Sequence, residues 1–298
     1  MDELIKEYLD YLEYQKKYSL YTVDNYDKDI TDFKEYLIIK KINFENVDYR
    51  LARDYLVNLH EKNYKSKTIC RHISSLRNFY RFLVSKNYVK DNPFSLISNP
   101  KVEKRLPNFL YYNDLEKLEE TPDLNNNMGI RDELIIELLY ATGCRVSELS
   151  SIKINDIDFE NKSIRIFGKG KKERIVFYGE KASKLIDNYL NIRNFNNEYL
   201  ILNSKGKKIT DRGIRLILEK NVQKSGVKTH VTPHTMRHTF ATHMLNEGAP
   251  LIAVQELLGH EDLKATEIYT HVSNERLRRV YLETHPRAKE KKNEKDVF

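Results

Sequence analysis

Thr232-Pro233-His234-Thr235-Met236-Arg237-His238 places a histidine and an arginine three positions apart, so that both share one face if the segment is helical. Pro233 suits the first turn of such a helix. Further on comes Leu257-Leu258-Gly259-His260, and nine residues after that histidine stands Tyr269. Arginine holds the non-bridging oxygens of a phosphate through a planar fork of donors. Histidine moves protons near neutral pH, and a tyrosine hydroxyl can form a covalent intermediate. Together these side chains suit attack on a phosphodiester without metal, which points to DNA breakage and rejoining.

Two plainer readings compete. One is a helix with ordinary exposed polar residues. The other is zinc, because six of the nine histidines fall between His230 and His271. His234 and His238 stand four apart, but no glutamate follows His234 as His-Glu-x-x-His requires. Arg237 beside His238 would also repel a cation. No metal and no cofactor is therefore expected.

The chain has 298 residues, enough for two domains that each bury a core. Its 51 Lys and Arg against 44 acidic residues give a net charge of +7, unremarkable by itself. The distribution says more: Lys62 to Lys90 holds eight basic residues and no Asp or Glu. Uncompensated charge on that scale favours a polyanion such as DNA. Two distant cysteines, Cys70 and Cys144, suggest a reducing compartment rather than a disulfide framework. The start lacks the apolar core of a signal peptide, and no run approaches the roughly 18 apolar residues of a membrane span. A soluble, cytoplasmic protein is expected.

The periodicity predicts a mainly α protein of two domains: an all-helical amino-terminal bundle, which the basic run makes the DNA-binding one, and a mixed, mostly helical domain with a small antiparallel three-stranded sheet. In residues 1–95 four amphipathic helices are predicted: Asp2 to Lys17; after Ser19 to Ile38, capped by Thr22 or Asp24; Asn46 to Asn63; and a fourth capped by Ser66. Tyr8, Tyr11, Tyr26 and Tyr80 read as core. Residues 96–107, with Asn99-Pro100 and a charged run, read as a linker. Residues 108–288 form the second domain, and 289–298 a charged tail. In the second domain a helix from Met128 to Thr142 stops at Gly143, and strands are predicted at Ile154–Phe159, Ser163–Phe167 and Arg174–Tyr178.

Ala141-Thr142-Gly143-Cys144-Arg145-Val146-Ser147-Glu148-Leu149 ends one helix and begins another. Arg145 then sits where its side chain and helix amides can face an anion together; alone, a surface pair with Glu148 explains it equally. Lys169, in the turn Gly168-Lys169-Gly170, is unremarkable alone but is placed to enter a DNA groove. Tyr269 is one of 20 tyrosines, most of them packing residues.

Taken in order, these motifs resemble the tyrosine recombinases of the lambda-integrase type, and within them the Xer branch of chromosome-dimer resolvases. Pro-His-x-x-Arg-His-x-Phe-Ala-Thr-His, Leu-Leu-Gly-His and Ile-Tyr-Thr-His follow one another between Pro233 and His271. Thr142 to Leu149 resembles the family's first arginine motif, Gly168-Lys169-Gly170 its hairpin lysine, and His285-Pro286-Arg287-Ala288 is also Xer-like. Met236 stands where leucine is common.

The resemblance implies a catalytic set of Arg145, Lys169, His234, Arg237, His260 and Tyr269, with Tyr269 as the nucleophile of a 3′-phosphotyrosyl intermediate and Glu148 supporting Arg145. It implies strand exchange through a Holliday junction, in chromosome or plasmid dimer resolution linked to cell division. A transposon or integrative-element integrase, or a type IB topoisomerase, is the alternative. The implied partners are a double-stranded recombination site, a homo- or hetero-tetramer with a related recombinase and carboxy-terminal segments exchanged between neighbours, and a DNA translocase. On the fourth helix Lys65, Arg71, Arg77 and Arg81 are the candidate DNA contacts. The lack of an extra amino-terminal arm-binding domain favours the Xer branch.

Overall fold

The computed structural model describes residues 1–101, 108–168, 173–259 and 274–288. The chain divides into two compact units, Met1–Arg105 and Leu106–Phe298.

The amino-terminal unit is helical throughout its described elements. Helix α1 (Asp2–Asp10) continues as a π turn, Tyr11–Gln15, and is followed by α2 (Leu20–Lys40), α3 (Tyr49–Glu61) and α4 (Ser66–Ser85). Two expected caps move. Ser19, extended at φ −66°, caps α2 by accepting from the Thr22 amide, so Thr22 lies inside the helix. Ser66 is likewise inside α4: the Thr68 and Ile69 amides both bond to the Lys65 carbonyl, which makes Lys65 the flanking residue.

The core of this unit is aromatic. Tyr8, Phe33, Tyr55, Phe79 and Tyr80 are buried, and Phe33 meets Tyr55 edge-on at 4.8 Å between ring centroids. Tyr11 and Tyr26 are partly buried against the same cluster. Phe94 and Ile97 close it. Arg77 fastens that segment by donating to the Phe94 carbonyl at 3.0 Å and the Ile97 carbonyl at 2.5 Å. The packed part of the unit therefore runs two residues into the segment expected to be linker.

The second unit is built around α6 (Asn127–Thr142), with α5 (Tyr112–Glu119) before it and α7 (Val146–Leu149) after it. Strands β1 (Ile157–Asp158), β2 (Ser163–Phe167) and β3 (Glu173–Phe177) form an antiparallel sheet in that order. Ser163 pairs with Phe177 and Phe167 with Glu173. The first strand is shorter than its alternation predicted, because Ile154–Asp156 turns as 3-10 helix with Asp156 accepting from the Lys153 amide. Helices α8 (Glu180–Ile192), α9 (Asp211–Ser225), α10 (Pro233–Asn246), α11 (Leu251–Leu258) and α12 (Asn274–Thr284) complete the unit.

Nearly every residue of α6 from Gly129 onward is buried, which is why its sequence lacks a polar face. Two of those residues are glutamates. Glu133 and Glu137 lie with Glu119 of α5 around two cations: Lys181 contacts all three carboxylates, and Arg287 contacts Glu119 and Glu137 while covering the Tyr140 ring. Burial pushes the Glu137 carboxyl well up from the usual range, with Glu119 and Glu133 adding to it, despite the pull of Arg287 and Lys181. Arg287 follows α12, whose Val280 and Tyr281 pack with Phe177, Phe240 and Met244. The ion cluster thus anchors the carboxy-terminal helix to the central one.

Removing one member leaves buried carboxylates short of a partner, the costly way to break a buried ion cluster. Arg287→Ala is expected to lower unfolding stability by about 3 kcal/mol in chemical denaturation. Unchanged stability would show that α12 is held by its apolar contacts alone.

Candidate active site

Helix α6 stops because Gly143 turns left-handed at φ +58°. A side chain is barred there on two counts. The conformation disfavours it, and a Cβ would lie 2.7 Å from the Phe240 ring and 2.9 Å from a Leu258 methyl. Two residues later Arg145 flanks α7. Its amide donates to Glu148 Oε2 at 2.6 Å and its Nη1 to Glu148 Oε1 at 2.9 Å. The expected local pair with Glu148 is present, but the glutamate is buried and holds more than one arginine.

From β3, Arg174 donates Nη1 to Glu148 Oε1 and Nη2 to Oε2, both at 2.8 Å. One carboxylate thus accepts four hydrogen bonds from two arginines. Burial alone would raise the Glu148 carboxyl; the bonds and charges of Arg174, then Arg145, outweigh it and hold the group below its ordinary range. Glu148 stays anionic at neutral pH.

Arg237, on α10, is 9% exposed and donates Nη1 to the Gly143 carbonyl at 2.7 Å and Nη2 to the Leu258 carbonyl at 2.5 Å. The end of α11 then receives all three guanidiniums on three successive carbonyls: Leu257 from Arg174 Nε at 3.0 Å, Leu258 from Arg237, and Gly259 from Arg145 Nη2 at 3.2 Å. Carbonyls in the last turn of a helix have no partner within it and carry the negative end of its dipole, so they are natural seats for cations. Burial, then the charges of Arg145 and Arg174, lower the Arg237 pKa to about 10, still protonated at neutral pH.

Arg145 and Arg237 line one pocket of about 770 Å³ with His234, Thr232, Arg215 and Glu219. His234 is exposed in the first turn of α10, which Thr232 caps through the Thr235 amide. Each of the two arginines spends only two of its five donors on the contacts above, and Arg145 keeps 43% of its side chain exposed. Such a pocket, with two fixed cations and an exposed imidazole at its mouth, suits an anionic ester. Cys144 offers no rival nucleophile, since burial pushes its thiol up to about 11.

Three of the six candidate catalytic residues, Lys169, His260 and Tyr269, lie outside the described residues. Arg145, His234 and Arg237 are brought together, with Glu148 beside them. The residue that sequence reasoning missed is Arg174, taken only as the start of a strand. The signal was a charge at the head of the apolar run Ile175-Val176-Phe177. Arg215 and His230 also face the pocket and were not singled out.

The candidate DNA contacts of α4 differ in how much charge they leave to a ligand. Lys65 and Arg81 are exposed. Arg71 is half-buried, 2.7 Å from the buried Asp29, and donates to the Asn25 carbonyl. Arg77 is bound to the Phe94 and Ile97 carbonyls.

Comparison with known proteins shows the family. Residues 5–87 match the model of the phage integrase amino-terminal SAM-like domain, and residues 108–276 that of the phage integrase family. The tyrosine recombinase XerC of Bacillus subtilis is 45% identical over 293 residues, spanning 95% of this chain and 96% of the relative. That of Staphylococcus epidermidis is 44% identical, spanning 97% and 99%. Among solved structures, the XerH site-specific recombinase bound to palindromic difH substrate, a post-cleavage complex, superposes with a TM-score of 0.71 at 24% identity, over 92% of this chain and 82% of that one. No described helix is long and apolar enough to cross a membrane. With both domain models matched in order and relatives of near-equal length at this identity, the chain belongs to the phage integrase family, the tyrosine recombinases.

Proposed function

We propose that Arg145, Lys169, His234, Arg237, His260 and Tyr269 form the catalytic set of an Xer-type site-specific recombinase acting on double-stranded DNA. The observation that carries this is the convergence of Arg145 and Arg237, from separate helices, with His234 on one pocket. Gly259, the last described residue before His260, accepts a hydrogen bond from Arg145.

A phosphodiester repels nucleophiles, so its cleavage needs positive charge fixed where negative charge builds up. Arg145 and Arg237 take the two non-bridging oxygens, His260 adds a hydrogen bond, and His234 orients the phosphate or assists proton transfer. The Tyr269 oxygen attacks phosphorus, its proton passing to the His234 imidazole or to solvent, and the surrounding cations favour the phenolate. The bond from phosphorus to the 5′-oxygen breaks, and Lys169 donates the proton that the leaving oxygen takes up. A 3′-phosphotyrosyl link and a free 5′-hydroxyl result. The ester energy is retained in the link, so no ATP is consumed. A 5′-hydroxyl from a second duplex reverses the attack and gives a Holliday junction.

Two duplexes of two strands require four tyrosines, hence four protomers, as copies of this chain or shared with a related recombinase. Of the four candidate contacts on and beside α4, the exposed Lys65 and Arg81 are the best placed to meet DNA phosphates, with Arg71 contributing less. Resolution of chromosome or plasmid dimers in the cytoplasm, with a DNA translocase as activator, is the role that fits relatives named XerC. A mobile-element integrase would use the same site.

Incubation with nicked duplexes carrying candidate sites, followed by denaturing electrophoresis, tests the chemistry. Wild type is expected to give a denaturant-resistant protein–DNA adduct that Tyr269→Phe abolishes; an adduct persisting in that variant would put the nucleophile elsewhere. Junctions between two duplexes are expected, whereas relaxation of a closed supercoiled circle carrying the site, without junctions, would favour a topoisomerase. Lys169→Ala should slow cleavage by at least 100-fold, within the general-acid range, and a 5′-bridging sulfur, a better leaving group, should restore it. Without that rescue, Lys169 is not the acid.

A further inference from the structure

We infer that Arg174 is a positioning residue for strand cleavage, fixing from β3 both the carboxylate that orients Arg145 and the end of α11 from which His260 follows. The inference rests on the catalytic set proposed above and deepens it.

Three features support it. The Arg174 guanidinium is used on every side: two donors grip the two oxygens of Glu148, and Nε grips the Leu257 carbonyl. Only a planar fork reaches three acceptors in this way, and a lysine ammonium does not reproduce it. The backbone of α11 is shaped around the same side chain. Gly259 is left-handed at φ +66°, and a Cβ on it would lie 3.0 Å from Arg174 Cδ and 3.1 Å from Nη1. Finally, Arg174 stays out of the substrate space. Its side chain is 13% exposed, and it is not among the described residues that line the pocket holding Arg145 and Arg237.

Arg174 is also the second residue of β3, five positions beyond Lys169 in the chain. One side chain therefore links the strand that follows Lys169, the residue that steers Arg145, and the turn that leads to His260. It holds Glu148 ionised as well. The charged or titratable groups near that carboxylate are Arg145, Arg174 on β3, Arg237 on α10 and Cys144. Without Arg174, a buried glutamate with fewer cations near it takes up a proton at higher pH, and a protonated Glu148 no longer anchors Arg145.

The test is single-turnover adduct formation by the full-length protein on a nicked duplex, at saturating protein, over pH 6 to 8.5. It is run for wild type, Arg174→Gln and Arg174→Lys, with DNA affinity and melting temperature measured alongside. Arg174→Gln is expected to cleave about 100-fold more slowly at neutral pH, as misplacement of a reacting group by about 1 Å does. The deficit relative to wild type should deepen as pH falls, because Glu148 protonates, and DNA affinity should stay within about threefold. Arg174→Lys keeps the charge but loses the fork; it is expected to remain at least tenfold slow, and it carries the test if the glutamine variant does not fold.

A uniform loss at every pH, or one that disappears at saturating protein, would mean a general structural or DNA-binding role and overturn the inference. So would rates within about threefold of wild type in both variants. A wild-type protein that forms no adduct removes the catalytic reading itself, which separates the two failures.

Discussion

Glu148 carries the site. Arginines repel one another, and bringing three of them to one place is unfavourable unless something compensates at close range. Here the compensation is one buried carboxylate, shared by Arg145 and Arg174, and the three terminal carbonyls of α11, each taken by a different guanidinium. These contacts lie within the protein, so in the proposed function the guanidiniums meet a phosphate already oriented. That preorganisation is what makes fixed charge effective in catalysis.

The same contacts explain why the domain has its shape. Helix α6 must end at a left-handed glycine so that the Gly143 carbonyl faces Arg237 and Phe240 can press against the turn. Helix α11 must end at another, so that its carbonyls are free and Arg174 lies against its backbone. Elsewhere on α6, Glu133 and Glu137 are buried for a different purpose, holding Lys181 of α8 and Arg287, which follows α12. Both clusters use ion pairs to fix the register of elements distant in sequence.

Much of this was legible from residues alone. Alternation found β2 at its observed limits, and three- and four-residue spacing found the α4 core from Ile69 to Leu83. What failed depended on the surrounding chain. Thr22 and Ser66 are good caps by residue type, yet which residue is extended at a helix start depends on how the preceding chain arrives. Ile97 looked like linker because Pro100 and a charged run follow it, while its burial depends on Arg77, 20 positions earlier. Arg174 was invisible for a similar reason: its partners, Glu148 and Leu257, lie 26 and 83 residues away. Arg145, His234 and Arg237 were found because spaced motifs carried them, whereas a residue that acts through others leaves no such spacing.

In the proposed mechanism Glu148, which is not among the described residues lining the pocket, governs cleavage by holding two arginines. The direct measurement is the single-turnover cleavage rate of Glu148→Gln, which keeps the shape of the side chain and removes its charge. The predicted result is a rate about 100-fold below wild type, with DNA affinity and fold retained. A rate within about threefold of wild type would contradict the account, because the arginines would then be placed without the carboxylate.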